Sequence, residues 1–113
     1  TGASQYLFLE VLTQDKSVDW TKTTMFHLDE YVGLSSQHPA SFRRYLKERL
    51  LAKVHPKEVF LLEGDAPDPR AEAVRLSEII AKYTIDVAFI GVGENAHIAF
   101  NDPPADFEKM LRR

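Results

Sequence analysis

Two short segments carry side chains able to move protons. The first, Gly91-Val92-Gly93-Glu94-Asn95-Ala96-His97-Ile98-Ala99-Phe100-Asn101-Asp102-Pro103, follows an apolar run and gathers glycines, an amide, an imidazole and a carboxylate. A lone histidine is usually a buried imidazole with a satisfied backbone bond. His97, however, has Asn95 and Asp102 within a few residues, and an imidazole oriented by a carboxylate exchanges protons near neutral pH. The second segment, His27-Leu28-Asp29-Glu30-Tyr31-Val32-Gly33-Leu34, ends another apolar run. Here one carboxylate is expected to face a ligand as a base while the other is held by backbone donors. Asp29 is the better base, because Leu28 and Tyr31 would desolvate it and raise its proton affinity. A metal set of His27, Asp29 and Glu30 is not favoured, since strand alternation puts Glu30 on the opposite face from the other two.

A third, weaker signal is Gly2-Ala3-Ser4 ahead of an apolar stretch that reads as a helix over 6–12 with Ser4 as its cap. Backbone N–H groups and a hydroxyl at the positive end of a helix dipole suit a phosphate. A serine cap without any ligand explains the same residues, so it is their place beside the other two loops that matters. Taken together, the three loops suggest proton transfer on a small phosphorylated substrate.

The Gly91 loop also fits the permissive dinucleotide pattern Gly-x-Gly-x-x-Ala. That pattern needs a helix starting within it and an acidic residue roughly 20 positions later. Pro103 and Pro104 interrupt any such helix and the 113 residues then run out, so nucleotide binding is set aside.

Parallel strands in an α/β sheet would position these loops. Apolar runs at 23–28, 58–62 and 85–90 lack clean alternation, as strands buried on both faces do. Between them lie helical patterns. Over 69–83, Asp68 caps, Pro69 suits the first turn, and Ala73, Leu76, Ile80 and Tyr83 share one face. Over 39–51, Phe42, Tyr45, Leu46 and Leu50 are expected inward, with Arg43, Arg44, Lys47 and Glu48 on a solvated outer face. Alternating helices and buried strands imply an incomplete Rossmann-like parallel sheet of three or so strands, with helices on both faces and right-handed crossovers. Ligands of such sheets bind beyond the carboxyl ends of the strands, where both chemical loops fall.

Composition narrows the partners. Fourteen basic and 17 acidic residues give a net charge of −3 with no long block of like charge, so a nucleic-acid partner is not expected. No apolar run approaches the roughly 20 residues that span a bilayer, and no membrane partner is expected. The absence of cysteine fits a reducing compartment, and the cytosol is the default. One domain over 1–113 is expected, and a start without methionine suggests a fragment lacking a strand before Thr1.

The segments Thr1-Gly2-Ala3-Ser4, Leu28-Asp29-Glu30-Tyr31-Val32-Gly33-Leu34, His38-Pro39-Ala40-Ser41-Phe42 and 91–103 resemble, in order and spacing, the glucosamine-6-phosphate deaminase/isomerase family. The resemblance covers nearly the whole chain. His97-Ile98-Ala99-Phe100-Asn101-Asp102-Pro103 is its most specific stretch and separates the chain from the related 6-phosphogluconolactonases. It implies the central part of a longer sugar-phosphate isomerase domain, in which His97 opens the sugar ring, Asp102 and Asn95 keep it in register, and Asp29 moves a proton between C2 and C1. Substrate contacts are implied at Gly2, Ala3, Ser4, Glu30, Gly93 and Ala96. It implies no metal or organic cofactor and a small-molecule sugar phosphate as partner, and it leaves room for a homo-oligomer. Against the family pattern, Ala96 replaces a glycine, Asp102 a glutamate, and Ser4-Gln5 a Thr-Pro pair. Two rival readings are a catalytically silent sugar-phosphate binding or regulatory module and a lactonase-like hydrolase.

Overall fold

The computed structural model describes residues 3–93 and 96–98. A 3-10 turn, Ala3–Gln5, leads directly into helix α1, Tyr6–Gln14. Gln5 therefore stands at the helix start, with no side-chain cap bond, and Ser4 is not the cap expected of it. A second 3-10 turn, Trp20–Lys22, is closed by Asp19, whose carboxylate accepts from the Thr21 amide. Strand β1 follows at Thr24–Phe26.

Helix α2, Phe42–Leu46, starts at Ser41, which has extended backbone angles and accepts from the Arg44 amide, as a helix cap does. It continues into a π turn, Lys47–Leu51. Strand β2 is Glu58–Phe60 and helix α3 is Pro69–Ile80. The start of α3 follows local rules: the Asp68 carboxylate accepts from the Arg70 and Ala71 amides, and Pro69, having no N–H to satisfy, takes the first helical position.

β1 and β2 pair in parallel with Thr24 opposite Glu58, Met25 opposite Val59 and Phe26 opposite Phe60. Alternation along the pair serves two different layers. Met25, with Leu61 just past β2, packs on a cluster of Leu9 from α1 and Leu46, Leu50 and Val54 from the α2 segment. Phe26 and Phe60 stack on each other at 5.1 Å and meet Tyr83, past the end of α3, at 5.2 and 5.9 Å. On that same face the Tyr83 hydroxyl and the Thr24 hydroxyl both donate to Glu58. α1 and the α2 segment thus cover one face of a small parallel sheet and Tyr83 lies on the other, an incomplete α/β fold.

Three further expectations change. The 85–90 run forms no ladder among the described residues: Ile85, Val87, Phe89 and Ile90 are all exposed, because a strand exists only through a partner's N–H and C=O groups and no described strand lies against it. On α3, Leu76 is buried but Ala73 is exposed, and Glu72 takes the second inward position by pairing with Arg75. On α2, Arg43 is buried, not solvated. Among the described residues, no helix is long and apolar enough to cross a membrane.

Candidate active site

The chain leaves β1 through His27, whose amide still donates to Phe60 O at 3.0 Å, one step beyond the ladder. The His27 ring is 4 % exposed, and its Nδ1 accepts from the Leu62 amide at 3.4 Å. It therefore ties together the ends of both strands. Burial pushes its pKa down to about 4, so the ring is neutral, and acceptance at Nδ1 puts the proton on Nε2.

Two residues on, Asp29 and Glu30 part company. The Glu30 side chain is 2 % exposed. It accepts from the amides of Tyr31 (2.9 Å), Phe42 (3.0 Å) and Arg43 (2.8 Å) and from the Ser41 hydroxyl (2.7 Å). Burial alone would raise its pKa, but these four donors outweigh it and hold the carboxyl below the usual glutamate range. Two of the amides are the otherwise unsatisfied N–H groups at the start of α2, so Glu30 closes the helix end and the helix fixes the loop.

Arg43 completes the anchorage. Its Nη2 donates to Leu34 O at 3.0 Å and to Asp65 at 2.6 Å, and its Nε lies 3.6 Å from Glu30. It joins the loop after β1 to the loop after β2. The Gly33 amide donates to Gly64 O at 2.6 Å, with Gly33 at φ 85°. Gly64 has no room for a side chain, since a Cβ there would run into Tyr31 O. From the other side, Glu72 accepts from the Glu63 amide at 2.8 Å and is clamped by Arg75, whose Nη2 reaches Leu61 O at 3.1 Å.

Asp29 has no comparable set of donors: among the described residues it accepts no hydrogen bond. It is half-buried, and its pKa is raised, by burial first and by the neighbouring Glu30 charge. Leu28 and Tyr31 are themselves 57 % and 42 % exposed. The arrangement leaves one carboxylate locked into the fold and its neighbour half-buried with a raised proton affinity.

The Gly91 loop turns back on itself. Val92 and Ile98 form an antiparallel bridge, the Gly93 amide donates to His97 O, and the Ala96 amide donates to Gly93 O, both at 2.9 Å. These bonds close a hairpin between Gly93 and His97, and Ala96 stands in it at φ 65°, in the left-handed region. The hairpin is unlike a dinucleotide loop, in which a helix would begin. It also brings the His97 ring over Gly93 so closely that a Cβ on Gly93 would collide with the imidazole. Gly93 is therefore a space reserved for His97.

The 3-10 turn holding Ser4 is tied to the same end of the molecule. Gln5 donates to Phe89 O at 3.2 Å, and Phe8 meets the Phe89 ring at 4.7 Å. Ser4 itself is exposed. Gly2, Asn95 and Asp102 lie outside the described residues. No group of three or more metal-binding side chains occurs among the described residues.

Sequence reasoning missed Ser41, Arg43 and Asp65. A signal for Arg43 was present: a cation in the first turn of a helix opposes the helix dipole, which points to a dedicated carboxylate partner.

A family described as glucosamine-6-phosphate isomerases/6-phosphogluconolactonase matches residues 2–105. A glucosamine-6-phosphate deaminase of an Exiguobacterium species is 44% identical over 103 residues, covering 91% of this chain and 40% of that protein. One from Listeria welshimeri is 39% identical over 114 residues, covering 100% of this chain and 48% of its own length. A solved structure of a monomeric glucosamine-6-phosphate deaminase superposes with a TM-score of 0.83 at 29% identity, over 96% of this chain and 47% of the other. The chain thus spans about half the length of the relatives it matches. With the match running from Gly2 through the Asp29 and His97 loops, the chain belongs to the glucosamine-6-phosphate isomerase/6-phosphogluconolactonase family.

Proposed function

We propose that this chain is the central, catalytic part of an enzyme that isomerises and deaminates an amino-sugar phosphate, converting glucosamine 6-phosphate and water to fructose 6-phosphate and ammonia. The observation that carries this is the divergence of two adjacent carboxylates: Glu30 is saturated by donors while Asp29, next to it, keeps a raised proton affinity. The relatives' shared deaminase name supports the same reading.

In this mechanism His97 takes the proton from the ring hydroxyl at C1 and returns it to the ring oxygen, opening the sugar to its aldehyde. Asn95 and Asp102 keep the imidazole in register. Asp29 then removes the proton from C2, the C1 oxygen takes up a proton given up by the ammonium group on C2, and an enolamine forms across C1 and C2. The same carboxyl returns a proton to C1, leaving an imine at C2. Water adds to C2 and ammonia departs, giving the ketone. Gly2, Ala3 and Ser4 hold the phosphate, Gly93 and Ala96 shape the loop beside the sugar, and Glu30 acts through the loop it anchors. Each step is a positioned proton transfer or an addition of water, and none calls for a metal or an organic cofactor. A cytosolic location accompanies this reading.

The lactonase-like hydrolase receives no support from the relatives cited, all named deaminases. The test is ammonia release from glucosamine 6-phosphate by the intact protein carrying this chain. Release is expected, falling by about 10²–10⁴-fold with His97→Ala. Tight binding of the sugar phosphate without ammonia release would favour the silent binding module instead.

A further inference from the structure

Among the described residues no donor holds the Asp29 carboxyl, so its place follows from the backbone that carries it. We propose that Gly64 is a positioning residue for Asp29: the bare backbone of the loop after β2 is the seat on which the Glu30–Tyr31 peptide rests, and a side chain there would move the base. The proposal rests on the proton-transfer reading of Asp29 given above.

The stretch from the end of β2 to Gly64 pins the Asp29 loop at both ends. At the near end, Phe60 O accepts from the His27 amide at 3.0 Å and the Leu62 amide donates to His27 Nδ1 at 3.4 Å. At the far end, Gly64 O accepts from the Gly33 amide at 2.6 Å. Asp29, Glu30 and Tyr31 lie between these pins. The intervening residues of the stretch are tied the opposite way, to α3: the Glu63 amide donates to Glu72 at 2.8 Å and Leu61 O accepts from Arg75 at 3.1 Å. Held from behind, the stretch is not free to step back when the contact in front of it is crowded.

That contact is tight. A Cβ on Gly64 would run into Tyr31 O and would lie 2.8 Å from Glu30 Cγ and 3.2 Å from Leu34 O. Two of these are main-chain oxygens, which cannot swing aside as a side-chain tip does. The third atom belongs to a side chain whose carboxylate is fixed by four donors. Gly64 does not have the positive φ that Gly33 has, so the close approach of another backbone, and not its own conformation, calls for glycine here. Gly64 lies outside both chemistry-bearing loops, yet it bears on the residue that follows Asp29 directly.

The experiment is Gly64→Ala in the intact protein, with ammonia release measured on glucosamine 6-phosphate and on its C2-deuterated form, per folded molecule and well below the melting temperature. A shift of about an ångström at the base is expected to lower kcat by about a hundredfold. KM should change little, because Asp29 acts on the C2 proton while the phosphate is held elsewhere. A deuterium isotope effect on kcat must be present in the variant, since removal of that proton is then the slow step. A merely structural role would lower the folded fraction and leave kcat per folded molecule at the wild-type value. An unchanged kcat, a loss confined to KM, or a loss without an isotope effect overturns the proposal. Absence of ammonia release by the wild type would count against the proposed function instead. In that case, or should Gly64→Ala fail to fold, hydrogen exchange of the wild-type Gly33 amide decides the matter. It must be protected as strongly as the His27 amide, and exchange at the rate of a free loop overturns the seat.

Discussion

The loop after β1 and the loop around His97 each present a candidate proton carrier, but they are held by different means. The first is built from side chains: Glu30, Ser41, Arg43 and Asp65 link two strand ends to the start of α2, and Asp29 is carried on that frame. The second is shaped by backbone geometry, with two hairpin bonds, an alanine in the left-handed region, and a glycine whose missing Cβ makes room for the imidazole. Damage should therefore fall differently. Substitutions in the first loop ought to register mainly in stability, and substitutions in the second mainly in the placement of His97.

Glu30→Gln is the most severe way to press on that contrast. A glutamine offers one acceptor oxygen to a site with three backbone donors and leaves the buried Arg43 with Asp65 as its one carboxylate partner of the two. A loss of about 3–5 kcal/mol in unfolding free energy is expected, measured by denaturant titration. A loss below about 1 kcal/mol would mean the anchor is not what holds this loop.

The same frame predicts a pH dependence. His27 is protonated less readily folded than unfolded, with a pKa near 4 in place of about 6.5. Its stabilising contribution is therefore full above about pH 6.5 and is lost as pH falls towards 4, by about 3 kcal/mol in total. His27→Gln, which cannot take up a proton, should flatten the fall in stability across that window while leaving the carboxylate-driven loss at lower pH.

Gly93→Ala probes the other loop. The new Cβ must displace the His97 ring, and a shift of about an ångström at an acid–base group costs about a hundredfold in rate. Because the loop lies at the surface, the melting temperature should barely change. A large drop in melting temperature with normal kcat would reverse the assignment of roles. The smallest effect belongs to Ala96→Gly: removing a Cβ from a left-handed residue should gain about 0.5–1 kcal/mol, the relief of strain exceeding the added chain entropy.

This contrast also explains what could be read in the residues before the fold was known. The start of α3 was legible, because Asp68 and Pro69 act within one helical turn. So was the expectation that one of Asp29 and Glu30 would be held by backbone donors, since adjacent carboxylates at a strand end face different surroundings. Arg43 was misassigned to a solvated face because its partners come from two other loops, 13 and 22 positions away. The 85–90 run has the composition of a strand, yet strand formation depends on a neighbour and not on composition, and no described strand pairs with it. Ser4 looked like a cap, but the 3-10 turn puts Gln5 at the helix start instead. The cost of a Cβ at Ala96 was foreseeable from the family's usual glycine, and its φ of 65° agrees.

Asp29→Asn tests the central claim most directly, with ammonia release and melting temperature measured on the same preparation of the intact protein. The folded state holds this carboxyl at a raised pKa, so at neutral pH its ionised form opposes folding, and neutralising it should leave the melting temperature unchanged or higher. The account predicts that ammonia release falls by about a thousandfold or more while stability holds or rises. Wild-type turnover by Asp29→Asn, or a loss of turnover that merely follows a loss of stability, would contradict it.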